Sequence, residues 1–554
     1  MTQSSRTEYP EGSVTEPTAE PTSNLVSHLV IGAGPAGLQL ARHLRESGHA
    51  YAVLEAGEAP GTFFATYPRH RTLISINKPH TGTEDPELNL RMDWNSILSP
   101  DPKLLFTRYS ERYFPDAQDL RRYLADYAAA FDLRIHYGTR VERITRSTAD
   151  GEFTVETSDG SRWRAGAVIV ATGVGAPYVP PIPGIEHAEQ YATMSVDPAD
   201  FTDQRVLILG KGNSAFETAD NLIEKAAVIH VAGPHSIRLA WQSHYVGHLR
   251  AVNNNFLDTY QLKSQNAILD GRVLGIRPRP EGGFLVRFSF SRADEVVKEL
   301  YYDRVLCCTG FRLDTSPFTE GCRPALAIND RFAELSPAYE SVNVPGLYFA
   351  GTLMQQRDFK KSTTGFIHGF RYTVRALSRI LDQRAAGTAW PHTEVPASPE
   401  ALADAVLRRV NRTSALWQQF GVMADVLLLP DDGGEARYLE EVPLRYALDG
   451  GLAEPATDLA TDGLLLAVTL EYGPDHDKVD PFDISVRRVA QDRAEEAHDA
   501  AYLHPVIRVF RDGEPLAEHH LAENLENRWD GASTHHAPLV AFLDKALTDL
   551  RATR

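Results

Sequence analysis

The sequence predicts an α/β fold with two Rossmann-like dinucleotide-binding domains, a helical insertion and a mixed α/β C-terminal accessory domain. At roughly 100–200 residues per domain, 554 residues correspond to about three or four domains. An apolar strand runs directly into a glycine-rich turn and a helix at two places, which begin at Leu29 and Val206. The residues after Ala385 carry no such motif.

The domain boundaries follow from these motifs. Residues 1–24 are rich in Ser, Thr, Glu and Pro, lack an apolar core and are predicted to be a disordered tail without a secretory signal. We assign the remainder as follows: a first domain at 25–195 and 301–385, a second at 196–300 with a helical insertion at 241–270, and an accessory domain at 386–554.

Composition excludes several kinds of partner. The formal net charge is −18, from 56 basic and 74 acidic residues, so the chain repels phosphate backbones and anionic bilayers at long range. Nucleic-acid and membrane partners are therefore disfavoured, and no run of about 18 apolar residues occurs. Three cysteines, Cys307, Cys308 and Cys322, cannot form a disulfide framework, which favours a reducing, cytoplasmic location.

The first glycine turn has the parts of a dinucleotide site. Gly32 allows a tight turn, Gly34 lets the backbone approach a pyrophosphate, and Gly37 lets the helix pack closely on the strand. The helix N-terminus supplies N–H donors for phosphate. Glu55 ends the next strand and is placed to bind ribose hydroxyls, with Ala36 and Ala56 as neighbouring cofactor contacts.

A second glycine turn follows Val206–Leu209. Its expected cofactor contacts are Gly210, Gly212, Asn213, Ser214, Ala215 and Glu217. The next strand, Val228–Val231, is not followed by an acid, whereas His235 and Arg238 lie just beyond it. A missing carboxylate beside cationic candidates favours a 2′-phosphate, and hence NADP rather than NAD.

Four motifs lie in a fixed order along the chain: Gly32-x-Gly34-x-x-Gly37, Ala171-Thr172-Gly173, Gly210-x-Gly212-x-Ser214-Ala215 and Asp303-x5-Thr309-Gly310-Phe311. Together they resemble the flavoproteins with two dinucleotide-binding domains, and more closely the group B flavin monooxygenases. The resemblance implies FAD in the first site and NADPH in the second. It also implies further cofactor contacts at Val141, Thr172, Gly173, Thr309, Gly310, Gly351, Thr352 and Thr364.

Longer segments indicate a narrower resemblance: Phe63 to Asn95, His244 to Arg250, Leu257 to Ser264 and Lys361 to Tyr372. They are similar to a subfamily that holds the endoplasmic-reticulum flavoprotein associated with degradation and the bacterial L-aspartate N-hydroxylases that form nitrosuccinate. The expected chemistry is reduction of FAD by NADPH, then attack by oxygen to give a flavin hydroperoxide. A disulfide reductase would need a CxxC-like pair, which is absent.

The catalytic residues are expected between the strands of the first domain. Asn77 and Lys78 match positions where relatives contact the oxygen-reacting face of the flavin, and Trp94 would form a wall at its edge. Arg71 and Arg91 belong to a group of arginines (Arg69, Arg71, Arg91, Arg108 and Arg112) that could clamp a carboxylate.

Substrate contacts are expected at Arg69, Arg71, His244, Tyr245 and Arg250, because substrate sites favour domain interfaces. No histidine or cysteine spacing predicts a metal site. The Baeyer–Villiger signature FxGxxxHxxxW is absent between Gly184 and Val206, so ketone oxidation is disfavoured and an amine or another soft nucleophile is the expected substrate group.

The accessory domain is predicted from periodicity alone. Ala385 to Ala401 should be a linker, Leu407–Phe420 and Leu539–Leu550 helices, and the runs Asp425–Leu429, Leu464–Tyr472 and Val506–Phe510 strands. The domain would serve as a lid or as the contact of a homodimer.

The sequence thus predicts an FAD- and NADPH-dependent N-hydroxylase that acts, with molecular oxygen, on a small acidic amino acid such as L-aspartate. Two alternatives stay open. One is an NADPH oxidase or a monooxygenase of another nucleophile, and the other is a flavoprotein that acts mainly as a protein-binding partner.

Overall fold

The computed structural model describes residues 24–262, 266–430, 434–453, 463–486 and 488–552. The predicted tail at 1–24, apart from its last residue, and Lys263 and Ser264 of the insertion lie outside these ranges. Three sheets organise the fold, two of seven strands and one of six. No helix in the described ranges is both long and apolar enough to cross a bilayer.

The first sheet holds the first glycine turn. Its strands lie in the order Ile135–His136, Tyr51–Leu54, Asn24–Ile31, Arg162–Val170, Phe153–Thr157 and Val141–Arg146, with Leu347–Phe349 also paired to Arg162–Val170. Asn24–Ile31 pairs in parallel with both neighbours. The strand Leu347–Phe349 returns to this sheet after the second domain, as the sequence predicted.

Three helices cover one face of the first sheet: Pro35–Glu46, Ala117–Ala130 and Ile367–Ala386. Leu38, Leu40 and Leu44 are fully buried there, and burial of each such side chain stabilises the fold by about 1.5–3 kcal/mol. The helix predicted to start near Lys361 begins at Ile367 instead, because Gly351–Arg357 forms a 3-10 helix and a turn follows it.

The second sheet has the order Val296–Tyr302, Phe284–Phe290, Ala267–Pro278, Val228–Gly233, Arg205–Leu209, Arg304–Cys307 and Glu189–Gln190. Helix Asn213–Leu222 follows the second glycine turn. The predicted boundaries at 195 and 301 are wrong by a few residues. Glu189–Gln190 pairs with Arg304–Cys307, which in turn pairs with Arg205–Leu209, so backbone pairing places both strands in the second sheet.

The insertion is helical over part of its predicted range: Ala240–Ser243, the 3-10 turn Ala251–Asn253, and Asn255–Gln261. Its predicted end at 270 is wrong, because Ala267–Pro278 pairs in parallel with Val228–Gly233 from residue 267 onward. The insertion therefore leaves and rejoins the second sheet at neighbouring strands.

The third sheet is antiparallel, in the order His392–Val395, Ala436–Pro443, Met423–Pro430, Gly463–Glu471, His504–Arg511 and Glu514–His520. The three predicted strand runs lie within it. The linker predicted at 385–401 contains a strand and the start of a helix, and the helix predicted at 407–420 is two helices, Pro399–Val410 and Ala415–Gln418. Ser398 caps the first of these helices by accepting from the N–H of Ala401.

The remaining elements are short or lie at the edges of the sheets. The remaining α-helices are Phe63–Thr66, Pro86–Met92, Leu444–Leu448 and Ala537–Ala552. There are 3-10 helices at Phe106–Arg108, Ile185–His187, Pro198–Phe201, Glu320–Cys322, Gly451–Ala453 and Ala494–Asp499. Residues Ala532–His536 form a π-helix. Two small strand pairs are Ala176–Pro177 with Phe311–Arg312, and Leu326–Ala327 with Phe332–Ala333.

The third sheet docks on the first domain through polar contacts to helix Pro86–Met92. The buried Arg91 guanidinium donates to the carbonyls of Thr413 and Val410 at 3.0 and 3.1 Å. Glu87 accepts from the backbone and hydroxyl of Ser414. These contacts join the accessory domain to helix Pro86–Met92 of the first domain.

Candidate active site

A cavity of about 880 Å³ is lined by residues of both glycine turns. This volume falls in the usual range of ligand pockets, roughly 300–1,000 Å³. Gly32, Gly34 and Ala36 border it from the first domain, and Asn213, Ser214 and Glu217 from the second. Both predicted dinucleotide sites therefore open into one space.

The three glycines of the first turn differ in what they allow. Gly32 has φ 106°, and a Cβ there would lie 2.9 Å from the carbonyl oxygen of Ala171. A Cβ on Gly37 would lie 1.9 Å from the carbonyl oxygen of Gly32, so the helix could not pack. A Cβ on Gly34 would meet nothing within 4 Å, which leaves open space beside the turn where a pyrophosphate can approach.

Glu55 holds the shape of this turn. Its carboxylate is buried at the end of Tyr51–Leu54 and accepts from the N–H groups of Ala33 at 2.7 Å and Gly57 at 2.8 Å. Glu55 also lines the cavity with Ala56. A carboxylate has about four acceptor sites, so it can still accept from a ribose hydroxyl.

Residues from both sequence segments of the first domain, 25–195 and 301–385, also line the cavity. Val141, Thr172, Gly173, Gly351 and Thr352 all border the cavity. The long helix Ile367–Ala386 begins there, since Gly365, Phe366 and Ile367 are lining residues. A helix N-terminus carries about half a positive charge, which favours an anionic or electron-rich group at this wall.

These features fit FAD. The first turn has space for a pyrophosphate, Glu55 can meet a ribose, and a helix start faces the far end of the cavity. Bound there, FAD would supply two-electron chemistry to the same cavity that Asn213 and Ser214 reach.

The second turn is built in a related way. Gly210 has φ 118°, and a Cβ there would lie 2.2 Å from the carbonyl oxygen of Cys308. Gly212 faces open space, and Ala215 is fully buried where the first turn has Gly37. Gly210, Gly212 and Ala215 shape the turn without bordering the cavity.

The Asn213 side chain makes structural hydrogen bonds that the sequence did not indicate. Its side chain donates to the carbonyl of His248 at 2.9 Å and accepts from the N–H of Arg250 at 3.0 Å and the amide of Asn253 at 3.1 Å. Asn213 therefore ties the insertion to the start of helix Asn213–Leu222.

A buried acid faces the cavity from the same helix. Burial raises the pKa of Glu217 to about 7, and the Tyr191 hydroxyl donates to its carboxylate. Burial also raises the pKa of Tyr191, whose oxygen accepts from the N–H of Arg69 at 3.2 Å. This pair can hold a proton at the cavity wall near neutral pH.

The four predicted catalytic residues do not border the cavity. Asn77 is buried and donates to the carbonyls of Ser110 and Arg112, while Lys78 is exposed. Arg71, at φ 69°, donates to the carbonyls of Phe64 and Ala65. The Arg91 guanidinium donates to the carbonyls of Thr413 and Val410 in the accessory domain, as described above. Asn77 and Lys78 were predicted from their match to relatives, and Arg71 and Arg91 from the arginine group. In the structure Asn77, Arg71 and Arg91 donate to backbone carbonyls, and Lys78 is exposed.

Four further expected cofactor contacts do not border the cavity. Thr309 donates to the carbonyl of Tyr178, and neither Thr309 nor Gly310 borders the cavity. Thr364 is buried and donates to Gln419 at 3.0 Å, one residue before the lining residue Gly365. Trp94 lies against His368 rather than at the cavity, with ring centroids 4.3 Å apart.

The predicted 2′-phosphate residues lie outside the cavity. His235 and Arg238 are exposed, and Arg238 forms a 3.7 Å ion pair with Asp477 of the accessory domain. They remain near the end of Val228–Gly233, where the sequence placed them.

The predicted substrate residues do not form one group. Arg69 donates to the carbonyl of Met194 at 2.7 Å, and His244 stacks on Tyr472 at 4.1 Å. Tyr245 is buried against Phe366 and donates to Gln355 at 3.3 Å. Arg250 lies over the ring of Trp94, with 5.2 Å from its Cζ to the ring centroid. Three of them contact lining residues: Tyr245 packs against Phe366, Arg71 donates to the carbonyl of Phe64, and the N–H of Arg69 donates to the Tyr191 hydroxyl.

Several lining residues have no signal in the sequence. Tyr67, Tyr191 and Phe311 form an aromatic group on the cavity wall, with Tyr67 and Tyr191 stacked at 5.7 Å. They come from three distant parts of the chain. Phe366 directly precedes the long helix Ile367–Ala386, a position that the predicted helix start near Lys361 did not single out.

Two dinucleotide turns that share one cavity define a flavoprotein oxidoreductase that uses FAD and a nicotinamide dinucleotide. The chain belongs to the pyridine nucleotide-disulphide oxidoreductase family, whose model matches residues 29–351.

Three relatives are informative. The FAD-dependent oxidoreductase domain-containing protein 2 of Mus musculus is 39% identical over 95% of this chain and 84% of its own length. The probable indole-3-pyruvate monooxygenase YUCCA1 of Arabidopsis thaliana is 29% identical over 38% of this chain and 46% of its own. The structure of a flavin-containing monooxygenase from Stenotrophomonas maltophilia has the same fold, with TM-score 0.51 and 23% identity over 66% of this chain and 100% of that one.

Proposed function

We propose that this protein is an FAD- and NADPH-dependent monooxygenase that N-hydroxylates a small acidic amino acid, with L-aspartate as the substrate and nitrosuccinate as the product of successive oxidations. The observation that carries the proposal is the shared cavity. It brings the two dinucleotide turns together, and none of the chain's three cysteines borders it.

The state of the cysteines argues for oxygen rather than a disulfide as electron acceptor. All three are buried and free, and burial raises the pKa of the Cys307 and Cys308 thiols. A disulfide reductase needs a reactive thiolate pair beside the flavin. The residues around the cavity would instead hold FAD, which supplies two-electron chemistry with oxygen as the acceptor.

The chain's own residues would then control the cavity. Tyr67, Tyr191 and Phe311 make an apolar wall that excludes water, which a reactive oxygen donor requires. Glu217 and Tyr191 can supply or accept a proton there, since the pKa of Glu217 is raised to about 7. The likeness to a plant monooxygenase supports oxygen transfer as the reaction.

NADPH is proposed over NADH because no acid follows Val228–Gly233 and Arg238 lies nearby. An exposed guanidinium can bind a 2′-phosphate, although it must leave Asp477 to do so. Arg238→Ala should raise the KM for NADPH about tenfold while the KM for NADH stays unchanged. Equal effects on the two nucleotides would contradict this assignment.

The reaction is tested with the purified FAD-loaded protein. NADPH oxidation is followed with L-aspartate, L-glutamate, L-asparagine and L-ornithine, and hydroxylamine or nitroso products are assayed together with hydrogen peroxide. We expect product with L-aspartate and little with L-asparagine, its uncharged match. Hydrogen peroxide as the sole product with every amino acid would overturn the N-hydroxylase proposal. Failure to oxidise NADPH would overturn the monooxygenase proposal altogether.

A further inference from the structure

Arg250 is half-buried, and its guanidinium has unused hydrogen-bond donors. The buried guanidinium of Arg371 donates to the carbonyls of Asp93, Ser96 and Leu90, and that of Arg91 is bonded as described above. Within the described ranges, the Arg250 guanidinium makes no hydrogen bond or ion pair, and its buried Nη1 has no partner. Burial lowers the pKa of Arg250.

A second unused polar group lies beside it. The His368 imidazole is completely buried, and neither ring nitrogen has a hydrogen-bond partner among the described residues. Burial, with Arg371 and Arg250 nearby, holds the pKa of His368 well below its usual range, so the ring is neutral. Its faces stack on Trp94 at 4.3 Å and Phe366 at 5.9 Å.

Trp94 joins the two groups, since Arg250 lies 5.2 Å from its ring centroid. The Trp94 indole N–H is itself satisfied by the carbonyl of Arg91 at 3.1 Å. The group lies between two functional elements. Phe366, against His368, lines the cavity, and the backbone of Arg250 is bonded to Asn213 of the second turn.

A partly buried guanidinium without a partner is costly, because desolvation is not offset by an ion pair or hydrogen bonds. A carboxylate is the ligand that matches it, since two parallel N–H···O bonds can form. Other anions are disfavoured by the small remaining donor set of one guanidinium and one neutral imidazole. A net charge of −18 makes such a local cation necessary for any anionic ligand.

We propose that the Arg250–Trp94–His368 group is a binding site for a carboxylate of a small amino acid, with Arg250 as the ion-pair partner and His368 as a hydrogen-bonding group. This inference rests on the proposed function in one respect, the identity of the ligand as an acidic amino acid. The site lies outside the residues that line the main cavity, beside the wall formed by Phe366.

Binding without turnover tests the site. FAD-loaded protein in the oxidised state, with no nicotinamide present, is titrated with L-aspartate, L-asparagine and succinate by calorimetry. The wild type should bind L-aspartate, and Arg250→Met should weaken binding at least about tenfold, because the charge-assisted hydrogen bonds to the guanidinium are lost. Arg250→Lys should recover part of the loss. Arg272→Met, at an exposed arginine of the second domain, which also holds Arg250, is the matched control and should bind normally.

His368→Phe keeps the stacked ring and removes both nitrogens, so it tests the imidazole without opening a hole beside Trp94. It should retain FAD and weaken L-aspartate binding less than Arg250→Met does. Unchanged L-aspartate affinity in Arg250→Met, or no saturable binding to the wild type, would overturn the site.

The outcomes also separate the site from the reaction. If L-aspartate binding depends on Arg250 but turnover yields only hydrogen peroxide, the result would support the site and contradict the N-hydroxylase function. Hydroxylation of L-aspartate with the same KM in wild type and Arg250→Met would leave the function standing and remove the site.

Discussion

Gly34 and Gly212 occupy the same place in the two glycine turns and provide a matched pair of tests. Both have ordinary negative φ angles, −77° and −97°, and a Cβ at either meets nothing within 4 Å. The protein should therefore fold with valine at either position. The valine side chain would nevertheless fill the space where a pyrophosphate approaches.

We expect Gly34→Val to fold and to lose FAD, with flavin content at least about tenfold lower by absorbance after purification. Gly212→Val should keep FAD but lose its rapid reduction by NADPH, measured by anaerobic stopped flow. Each variant is the control for the other. Full FAD content in Gly34→Val would show that the first turn does not hold the cofactor.

Glu217 makes stability depend on pH in a defined direction. Its folded pKa of about 7 lies above the ordinary value of 4.5, so the folded state binds the proton more tightly. Protonated Glu217 therefore contributes about 3 kcal/mol to the free energy of unfolding. This contribution is fully present below about pH 4.5 and is lost as pH rises through about 7.

Glu217→Gln cannot ionise and should escape this loss. The difference in Tm between Glu217→Gln and wild type, measured by differential scanning fluorimetry, should move in favour of the variant between pH 5 and pH 8. Asp358 and Asp220, whose pKa values burial also raises, are present in both proteins and cancel. A Tm difference that is constant with pH would contradict the raised pKa of Glu217.

At the scale of elements, helix Pro86–Met92 is a docking helix rather than part of the chemistry. Arg91 donates to two carbonyls at the end of helix Pro399–Val410 and just beyond it, and its guanidinium lies 4.5 Å from the ring centroid of Trp417. The sequence could predict an arginine-rich segment here, but not that its donors would meet backbone more than 300 residues away.

Arg91→Met should therefore destabilise the protein by about 2–4 kcal/mol, because two buried carbonyls lose their donors. The rate of flavin reduction by NADPH, per bound FAD, should stay within about twofold of wild type. Arg108→Met, at an exposed position, should change stability by less than about 0.5 kcal/mol. A large loss of reduction rate with normal Tm in Arg91→Met would return Arg91 to the catalytic group.

At the scale of the whole molecule, the accessory domain supports the cavity wall. Thr363 donates to the carbonyl of Gln418, and Thr364 donates to the side chain of Gln419. The lining residues Gly365 and Phe366 follow directly. The third sheet is therefore coupled to the cofactor cavity without touching it.

Removal of FAD should loosen this connection. We expect faster amide hydrogen exchange in helix Ala415–Gln418 of the apo protein than of the FAD-loaded protein, measured by mass spectrometry. Strand His504–Arg511, on the far side of the third sheet, should exchange equally in both states. Changes confined to the first sheet would show that the accessory domain is independent of the cofactor.

The sequence by itself determined both glycine turns, the strands that carry them and the return of Leu347–Phe349 to the first sheet. These features depend on local spacing and on steric limits at single glycines, such as Gly32 and Gly37, so a short window contains the whole signal. The tertiary structure alone decided which hydrogen-bond partners the arginine side chains have. Their donors are long and flexible, and whether Arg91 meets a carbonyl or Arg250 is left unpaired depends on which distant backbone packs beside it.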